Sequence, residues 1–363
     1  MKDTFGQSIS ITLAGESHGF GIVAILSGMA PGIPVDEDFI AAQLTKRRPS
    51  GAISTSRQEA DEFEILSGVF GGFTTGTAIA ILIPNKNTIS KDYSELASTA
   101  RPGHADYSAQ CKYHGFQDYR GGGHFSGRIT AGIVAAGAIC LSALEKKGIK
   151  IGTHIAECAG IRDRKFKNTE EDIDSLNEKL FAVLDDESGK KMEEAILAAK
   201  SEGDSVGGIL ETAVAGVPAG IGEPYFDSIE SRLAHMLFSI PAVKGVEFGS
   251  GFDMAKMRGS EANDSFFVDE NGKISTKTNH NGGINGGISN GCDITFRCAI
   301  KPTPSVSKEQ ETVDFIKNEN KNLSIKGRHD PAIIHRARVV ADSAAAIVLC
   351  DILAQRYGTD WLR

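Results

Sequence analysis

A single domain that mixes α-helices and β-strands is what this chain predicts, on three observations. Its 363 residues exceed the usual single-domain size, yet no linker or low-complexity tail divides residues 1–363. Segments with strand character and segments with helix character both occur along the whole length. Hydrophobic residues make up 40% of the chain, and a globule of this size can bury roughly 75% of the surface its unfolded form exposes. A core without disulfide staples is therefore sufficient.

The elements follow in order. Ser8 to Ala14 alternates as a strand, and Ile22 to Leu26 forms a second after the Gly15-Glu16-Ser17-His18-Gly19 turn. Asp36 caps a helix with Phe39, Ile40 and Leu44 on one face, running into Lys46-Arg47-Arg48-Pro49. Glu64 to Val69 and Thr77 to Ile83 are strands, the latter closed by Pro84. Ala131 to Lys147 is a helix stopped by Gly148. Ile151 to Ala159 and Gly207 to Val217 are strands that bracket an acidic region, 163–203, expected to hold one or two peripheral amphipathic helices. Asp227 caps a helix through Leu237, with Ile229, Leu233 and Leu237 on one stripe. Ile294 to Ile300 is a strand, and Ala341 to Arg356 is the closing helix.

Composition narrows the function. A net charge of -8 argues against nucleic acid or an anionic membrane as partner. The apolar run from Ala131 to Leu144, about 14 residues, falls short of the roughly 20 that span a bilayer and reads as a buried helix. Six cysteines stand singly, as suits a reducing cytoplasm, and the N-terminus lacks a signal-peptide core. No histidine and carboxylate spacing suits a metal.

Local positive charge stands out against that acidic background. Arg101-Pro102-Gly103-His104-Ala105-Asp106 puts a guanidinium, an imidazole and a carboxylate around one turn, a combination able to grip an anion and protonate it. The turn at 15–19, the segment Arg120 to Arg128 with three successive glycines, and Gly327-Arg328-His329-Asp330-Pro331 repeat the theme of glycine beside histidine and arginine. Glycine amides can approach a phosphate closely. The Arg/His clusters at 120–128 and 327–330 each precede an alanine-rich helix, whose N-terminus would face an anion. Arg47 and Arg48 divide between dipole contact at a helix end and ligand binding. The glycine-rich loop Asn279 to Gly291 is either a pliable connection or a surface packed on a flat or phosphorylated ligand.

Other readings stay open at this point. Gly15 to Gly19 matches Gly-x-Ser-x-Gly, which would make Ser17 a hydrolase nucleophile, although the turn comes unusually early. Gly19-Phe20-Gly21-Ile22-Val23-Ala24 fits a dinucleotide fingerprint but lacks the helix that should follow. A non-catalytic flavin- or phosphate-binding protein would use the same loops.

The ordered set of segments resembles the chorismate synthase family. It comprises Gly-Glu-Ser-His-Gly at 15–19, Ile65-Leu66-Ser67-Gly68-Val69, Thr74-Thr75-Gly76-Thr77, Arg-Pro-Gly-His-Ala-Asp-Tyr at 101–107 and Asp118-Tyr119-Arg120-Gly121-Gly122-Gly123. Further on come Gly216 to Gly220, Gly222-Glu223-Pro224, Gly282 to Ser289, Lys301-Pro302-Thr303 and Gly327 to Pro331. The resemblance implies the α+β class, with a β-α-β sandwich of antiparallel sheets and flanking helices, a homotetramer, and reduced FMN as cofactor. It also implies anti-1,4-elimination of phosphate from 5-enolpyruvylshikimate 3-phosphate to give chorismate. In that picture His104 lies near the phosphate, His18 near flavin N1, and Asp330 assists flavin N5. Arg47, Arg48, Arg101, Ser126, Arg128 and Arg328 would hold the substrate. His124, Phe125, Ser126, Pro241, Ala242, Gly286, Lys301, Pro302, Thr303, Pro304, Ser305 and Arg328 would hold the flavin. Ser17 becomes a supporting hydrogen-bonding group.

The chain departs from the family at several of these positions. It has Gly123-His124-Phe125-Ser126-Gly127-Arg128-Ile129-Thr130 where Gly-Arg-Ser-Ser-Ala-Arg-Glu-Thr is common, Ile53 near a usual arginine, and Pro241 where asparagine is frequent. With no flavin-reductase segment and no convincing nicotinamide fingerprint, dependence on an external flavin reductant is expected.

Overall fold

The computed structural model describes residues 3–55, 60–86, 97–270, 272–325 and 330–363. Two antiparallel five-stranded sheets enclose a layer of helices, as the family resemblance implies. The first sheet uses β1 (Thr4–Gly6), β2 (Ser10–Gly15), β3 (Gly21–Ser27), β4 (Glu64–Ser67) and, beyond the short pair β5 (Val69–Phe70) and β6 (Phe73–Thr74), β7 (Ile79–Pro84). Its order is β1-β2-β3-β7-β4. The second contains β8 (Lys150–Cys158), β9 (Ile161–Arg162), β10 (Gly208–Ala215) and β11 (Val243–Phe248). After the hairpins β12 (Phe266–Val268) with β13 (Ile274–Thr276), and β14 (Ile284–Asn285) with β15 (Ile288–Ser289), it gains β16 (Ile294–Ile300). Its order is β11-β16-β10-β8-β9. A last hairpin joins β17 (Gln310–Asp314) to β18 (Glu319–Leu323).

Eight helices occur among the described residues: α1 (Glu37–Arg47), α2 (Asp106–Tyr113), α3 (Thr130–Glu145), α4 (Thr169–Glu178), α5 (Asp186–Ser201), α6 (Ile229–Phe238), α7 (Gly259–Ala262) and α8 (Ile334–Tyr357). The central layer is built on α3 and α8, which are buried nearly all round, as an apolar helix without a polar face must be. Helix α3 covers the first sheet, α8 covers the second, and the two pack on each other. At their crossing a Cβ on Gly137 would overlap Ser343, so glycine sets the distance between them. The segment Gly127–Glu145 is long and apolar enough to cross a membrane, but 83% of its apolar window is buried inside the fold, where it packs between sheet and helix.

The alternation of strand side chains explains the outer layer. Thr153 on β8 points inward and donates to Asp342 of α8 at 2.6 Å. Its neighbour Gly152 faces outward, where a Cβ would press on Ile173 of α4. The acidic region thus supplies two helices, with α4 laid on the outer face of the second sheet.

Three expectations shift. Ser228, not Asp227, caps α6, its hydroxyl accepting from the Ser231 amide at 3.1 Å, while Asp227 pairs with Arg232. The strand expected over Glu64 to Val69 breaks at Gly68, whose φ of 83° turns the chain. The closing helix begins at Ile334, before the expected Ala341, because His335 and Arg338 interrupt the apolar pattern yet are buried. Helix α2 and the hairpins after β11 and β16 were not anticipated; their strands are short, and apolar residues such as Phe266 to Val268 are exposed, so no alternation of burial marks them.

Candidate active site

The site grows from two tight backbone segments pressed together. The 15–19 turn joins β2 to β3 and carries His18, which is buried beside Ser17. Against it lies Gly121-Gly122-Gly123, all three with positive φ (61°, 94° and 53°), a run that only glycine adopts readily. The Ser17 amide donates to the Gly123 carbonyl at 3.1 Å and His124 Nδ1 donates to the Gly15 carbonyl at 2.9 Å, clamping the two segments. A Cβ on Gly121 would overlap the His18 ring, and one on Gly122 would stand 3.1 Å from His104 Nε2. Two imidazoles therefore face each other's neighbourhood across a bare glycine wall.

His104 is oriented from behind. Its Nδ1 lies 2.7 Å from Asp106 Oδ1, and Arg101 grips the same carboxylate through Nε at 2.8 Å and Nη2 at 2.7 Å. Burial would raise the Asp106 carboxyl, but hydrogen bonds from Arg101 and His104, with the charge of Arg101, hold it far below the ordinary carboxylate range. Arg101 Nη2 also stands 3.0 Å from Nδ1, but the shorter contact is to Asp106, whose ionised carboxylate only accepts, so Nδ1 is assigned as its donor and Nε2 is left toward Gly122. The adjoining cleft is lined by His104, Asp106, Gln117, Tyr119, Gly122 and Phe125.

Lys301 closes this loop by donating from Nζ to the Gly103 carbonyl, and its own amide donates to Ala242 at 3.0 Å. Pro304 lies beside Gly103. Lys301 and Pro304 thus border the His104 turn, with Ala242 behind Lys301, while Phe125 lines the same cleft and Ser126 lies beside Gly122. Gly286 does not join them: it tips the β14–β15 hairpin, which packs on Gly222 and Ser228 at the start of α6.

A second wall is built from arginines. Arg47, at the end of α1, reaches Asp61 Oδ2 through Nη2 at 2.7 Å, and Arg128 reaches Asp61 Oδ1. Both guanidinium groups are buried, so each is held by the protein itself. Burial opposes ionisation of Asp61, yet the charges of Arg47 and Arg128 outweigh it and keep the carboxyl low. Asp330 accepts from the Thr55 amide at 2.9 Å and from Arg336. Arg328 and His329 lie outside the described residues.

Beside Asp330, His335 is buried with Nε2 2.8 Å from Ser54 Oγ. Burial, with the nearby Arg336 charge, pushes this imidazole down from 6.5 to about 4. Between those values the unfolded chain takes up a proton that the folded chain refuses, so stability falls as pH drops from 6.5 to 4. The expected loss is about 3 kcal/mol relative to His335→Phe, read from urea unfolding across that window. Asp342, pushed up by burial to about 6, acts in the opposite direction but is common to both proteins and cancels in the difference. Parallel pH curves for the two proteins would rule the effect out.

Sequence reasoning passed over Asp61, Asn85, Arg336 and the orienting part played by Asp106. Asp106 had a signal, two positions from His104 in the same turn. Asp61 had only its place in an acidic stretch, and Asn85 that of a turn residue after Pro84.

Two rival readings end here. The Ser17 hydroxyl donates to the Arg120 carbonyl at 3.1 Å, a hydrogen bond that directs its proton away from any base. The Gly19 to Ala24 fingerprint runs into β3, a strand in an antiparallel sheet, not into a helix.

Comparison with known proteins decides the family. A family model described as chorismate synthase matches residues 9–354. The chain belongs to the chorismate synthase family. It is 49% identical over 351 residues to chorismate synthase of Lachnoclostridium phytofermentans, covering 96% of this chain and 94% of that one. It is 47% identical over 350 residues to that of Methanosarcina mazei, covering 96% and 95%. A solved structure entitled "Crystal Structure of Chorismate Synthase" superposes with a TM-score of 0.76 at 30% identity, over 97% of this chain and 94% of that one. By family it is a carbon–oxygen lyase acting at the last step of the shikimate pathway to the aromatic amino acids, in a family that is flavin-dependent.

Proposed function

We propose that the basin between His18 and His104 is where 5-enolpyruvylshikimate 3-phosphate loses phosphate and a ring proton to become chorismate, with reduced FMN bound alongside. The observation that carries this reading is the glycine wall on which both imidazoles lie: a Cβ on Gly121 would overlap the His18 ring and one on Gly122 would crowd His104 Nε2 at 3.1 Å. The residues suit such a cofactor. Thr303 Oγ1 and Arg48 Nε are buried without a partner among the described residues, and Lys301 adds a cation near the same loop. These donors fit phosphate and ring acceptors.

Reduced flavin, when bound, supplies electron density that assists departure of the phosphate. The protein's part is to bind, orient and move protons. His104, with Nε2 toward the basin and Asp106 behind it, protonates the leaving phosphate oxygen as the carbon–oxygen bond breaks. His18 holds a proton at flavin N1. Asp330, fixed by Thr55 and Arg336, would assist removal of the ring hydrogen beside flavin N5. Arg48 and Arg328 are assigned the phosphate and carboxylates of the substrate, since planar guanidinium forks suit both, while Arg101, whose Nε and Nη2 already bind Asp106, would reach it only through Nη1. Arg47 and Arg128 complete that positive wall while anchored on Asp61. Pro241, Ala242, Lys301 to Ser305, and His124 to Ser126 would border the flavin; Gly286 would contribute only from the β14–β15 hairpin.

The chain is read as one domain whose helices α4 and α5 are peripheral to this chemistry, and as a cytoplasmic enzyme. A homotetramer is supported by large apolar side chains left exposed, among them Tyr225, Phe226, Phe252 and the edge strand Phe266–Val268, since such patches usually mark contacts. An external reductant would supply the reduced flavin.

The test is phosphate release from 5-enolpyruvylshikimate 3-phosphate under anaerobic conditions. Release with chemically reduced FMN, matched by chorismate, and none with oxidised FMN is the expected result. Oxidised FMN with NADPH alone should give none either; turnover there would refute the external reductant. No release with reduced FMN from folded protein would overturn the reading.

A further inference from the structure

Asn85 follows Pro84 at the end of β7 and is half-buried. Both ends of its amide are engaged. Oδ1 accepts from Arg128 Nε at 2.9 Å, while Nδ2 donates to the Glu16 carbonyl at 2.9 Å and the Gly19 carbonyl at 3.0 Å. Its backbone amide donates to the Phe20 carbonyl at 3.0 Å. These partners fix the orientation of the amide, because an arginine only donates and a carbonyl only accepts. The two carbonyls held by Nδ2 stand on either side of His18.

Arg128 is itself immobilised. Its Nη1 meets Asp61, its Nη2 meets the Pro84 carbonyl at 3.2 Å, and Asp61 is tied to Arg47. Asp61 has a φ of 48°, in the left-handed region, with its side chain fully buried. A chain of charge-assisted bonds therefore runs from the buried carboxylate through Arg128 and Asn85 to the turn that carries His18. On its other side the same turn is held by Gly123 and His124.

We propose that Asn85 is a positioning residue: it clasps the two carbonyls that flank His18 and, braced through Arg128 on Asp61, sets where that imidazole stands over Gly121. The inference rests on the role given to His18 above. A misplacement of about 1 Å at a reacting group can cost 10²-fold in rate, so a clasp on both sides of one residue has a catalytic consequence.

Asn85→Asp is the informative variant. It keeps the shape and an oxygen for Arg128, but turns the donor into an acceptor facing two carbonyls. The expected result is a fall in kcat of about 10-fold or more with the KM for 5-enolpyruvylshikimate 3-phosphate little changed, and less than about 2-fold further loss when His18→Ala is already present. In flavin-free protein, amide hydrogen exchange over residues 15–20 should accelerate. An equal fold-loss in both backgrounds, or unchanged exchange in that turn, would overturn the proposal. If His18→Ala alone leaves turnover intact, the role of His18 has failed and the exchange measurement alone judges the clasp. Should Asn85→Asp not fold, Asn85→Ala removes the clasp without adding charge and is judged by the same readouts.

Discussion

His104→Ala is expected to lower the rate of phosphate release by about 10²- to 10⁴-fold, the span that a positioned general acid contributes. Flavin affinity should stay close to that of the parent protein, because the expected flavin neighbours Lys301 to Ser305 meet this turn through the Gly103 backbone, not through the imidazole. The argument lies in the ring's two nitrogens. Asp106, 2.7 Å from Nδ1, stays ionised because Arg101 and His104 both hydrogen-bond it. An ionised carboxylate only accepts, which commits Nδ1–H to Asp106 and leaves Nε2, on the Gly122 side, as the nitrogen that faces the basin. Asp106→Asn should act in the same direction, since a neutral amide can turn its donor to Nδ1 and no longer fixes the ring's orientation or tautomer. Single-turnover phosphate release, paired with a flavin-binding titration, checks both variants. Unchanged turnover in His104→Ala would remove this residue from the mechanism.

Asp351→Ala is expected to destabilise the fold by roughly 3–5 kcal/mol, the cost of leaving a buried charge without its partner. Asp351 sits on α8 with its side chain fully buried. One oxygen accepts from the amides of Ser8 at 2.7 Å and Ile9 at 2.9 Å, and the other from Gln7 at 3.0 Å and from Arg232 of α6. The ion pair by itself adds little net stability, because both charges had to be dehydrated. Its removal is costly for a different reason: Arg232 keeps only the longer contact to Asp227 at 3.4 Å, and the Gln7, Ser8 and Ile9 amides lose their acceptor, the last of them in a buried position. Asp351→Asn retains an acceptor and should lose less. Urea unfolding of soluble protein measures the difference, and a loss under about 1 kcal/mol, within the range of ordinary surface substitutions, would show that water or rearrangement replaces the carboxylate.

Most regular elements were legible in the sequence because their burial is periodic. Strand Ile294–Ile300 carries alternating buried residues, and α1 starts at the Asp36 cap that its sequence advertises. The early start of α8 was illegible for a physical reason: His335, Arg338 and Asp342 look like surface residues until their partners, Ser54, Lys179 and Thr153, are brought to them. The same limit applies at the site. The cluster at 101–106 could be read as an anion-gripping turn because its arginine, histidine and carboxylate are neighbours in the chain. No local pattern marks Asp61, which meets Arg128 across 67 positions, or Asn85, which meets Glu16 across 69.

By itself, then, the sequence determined the fold class and the family, since these depend on periodicity and on short motifs read in order along the chain. Only the tertiary structure decided that Arg47 and Arg128 share one buried carboxylate, that His104 presents Nε2, and that the His18 turn is held from two sides. Those facts depend on which distant groups meet once burial removes water as an alternative partner, and hydrogen bonds between such groups carry no signature in either stretch of chain alone.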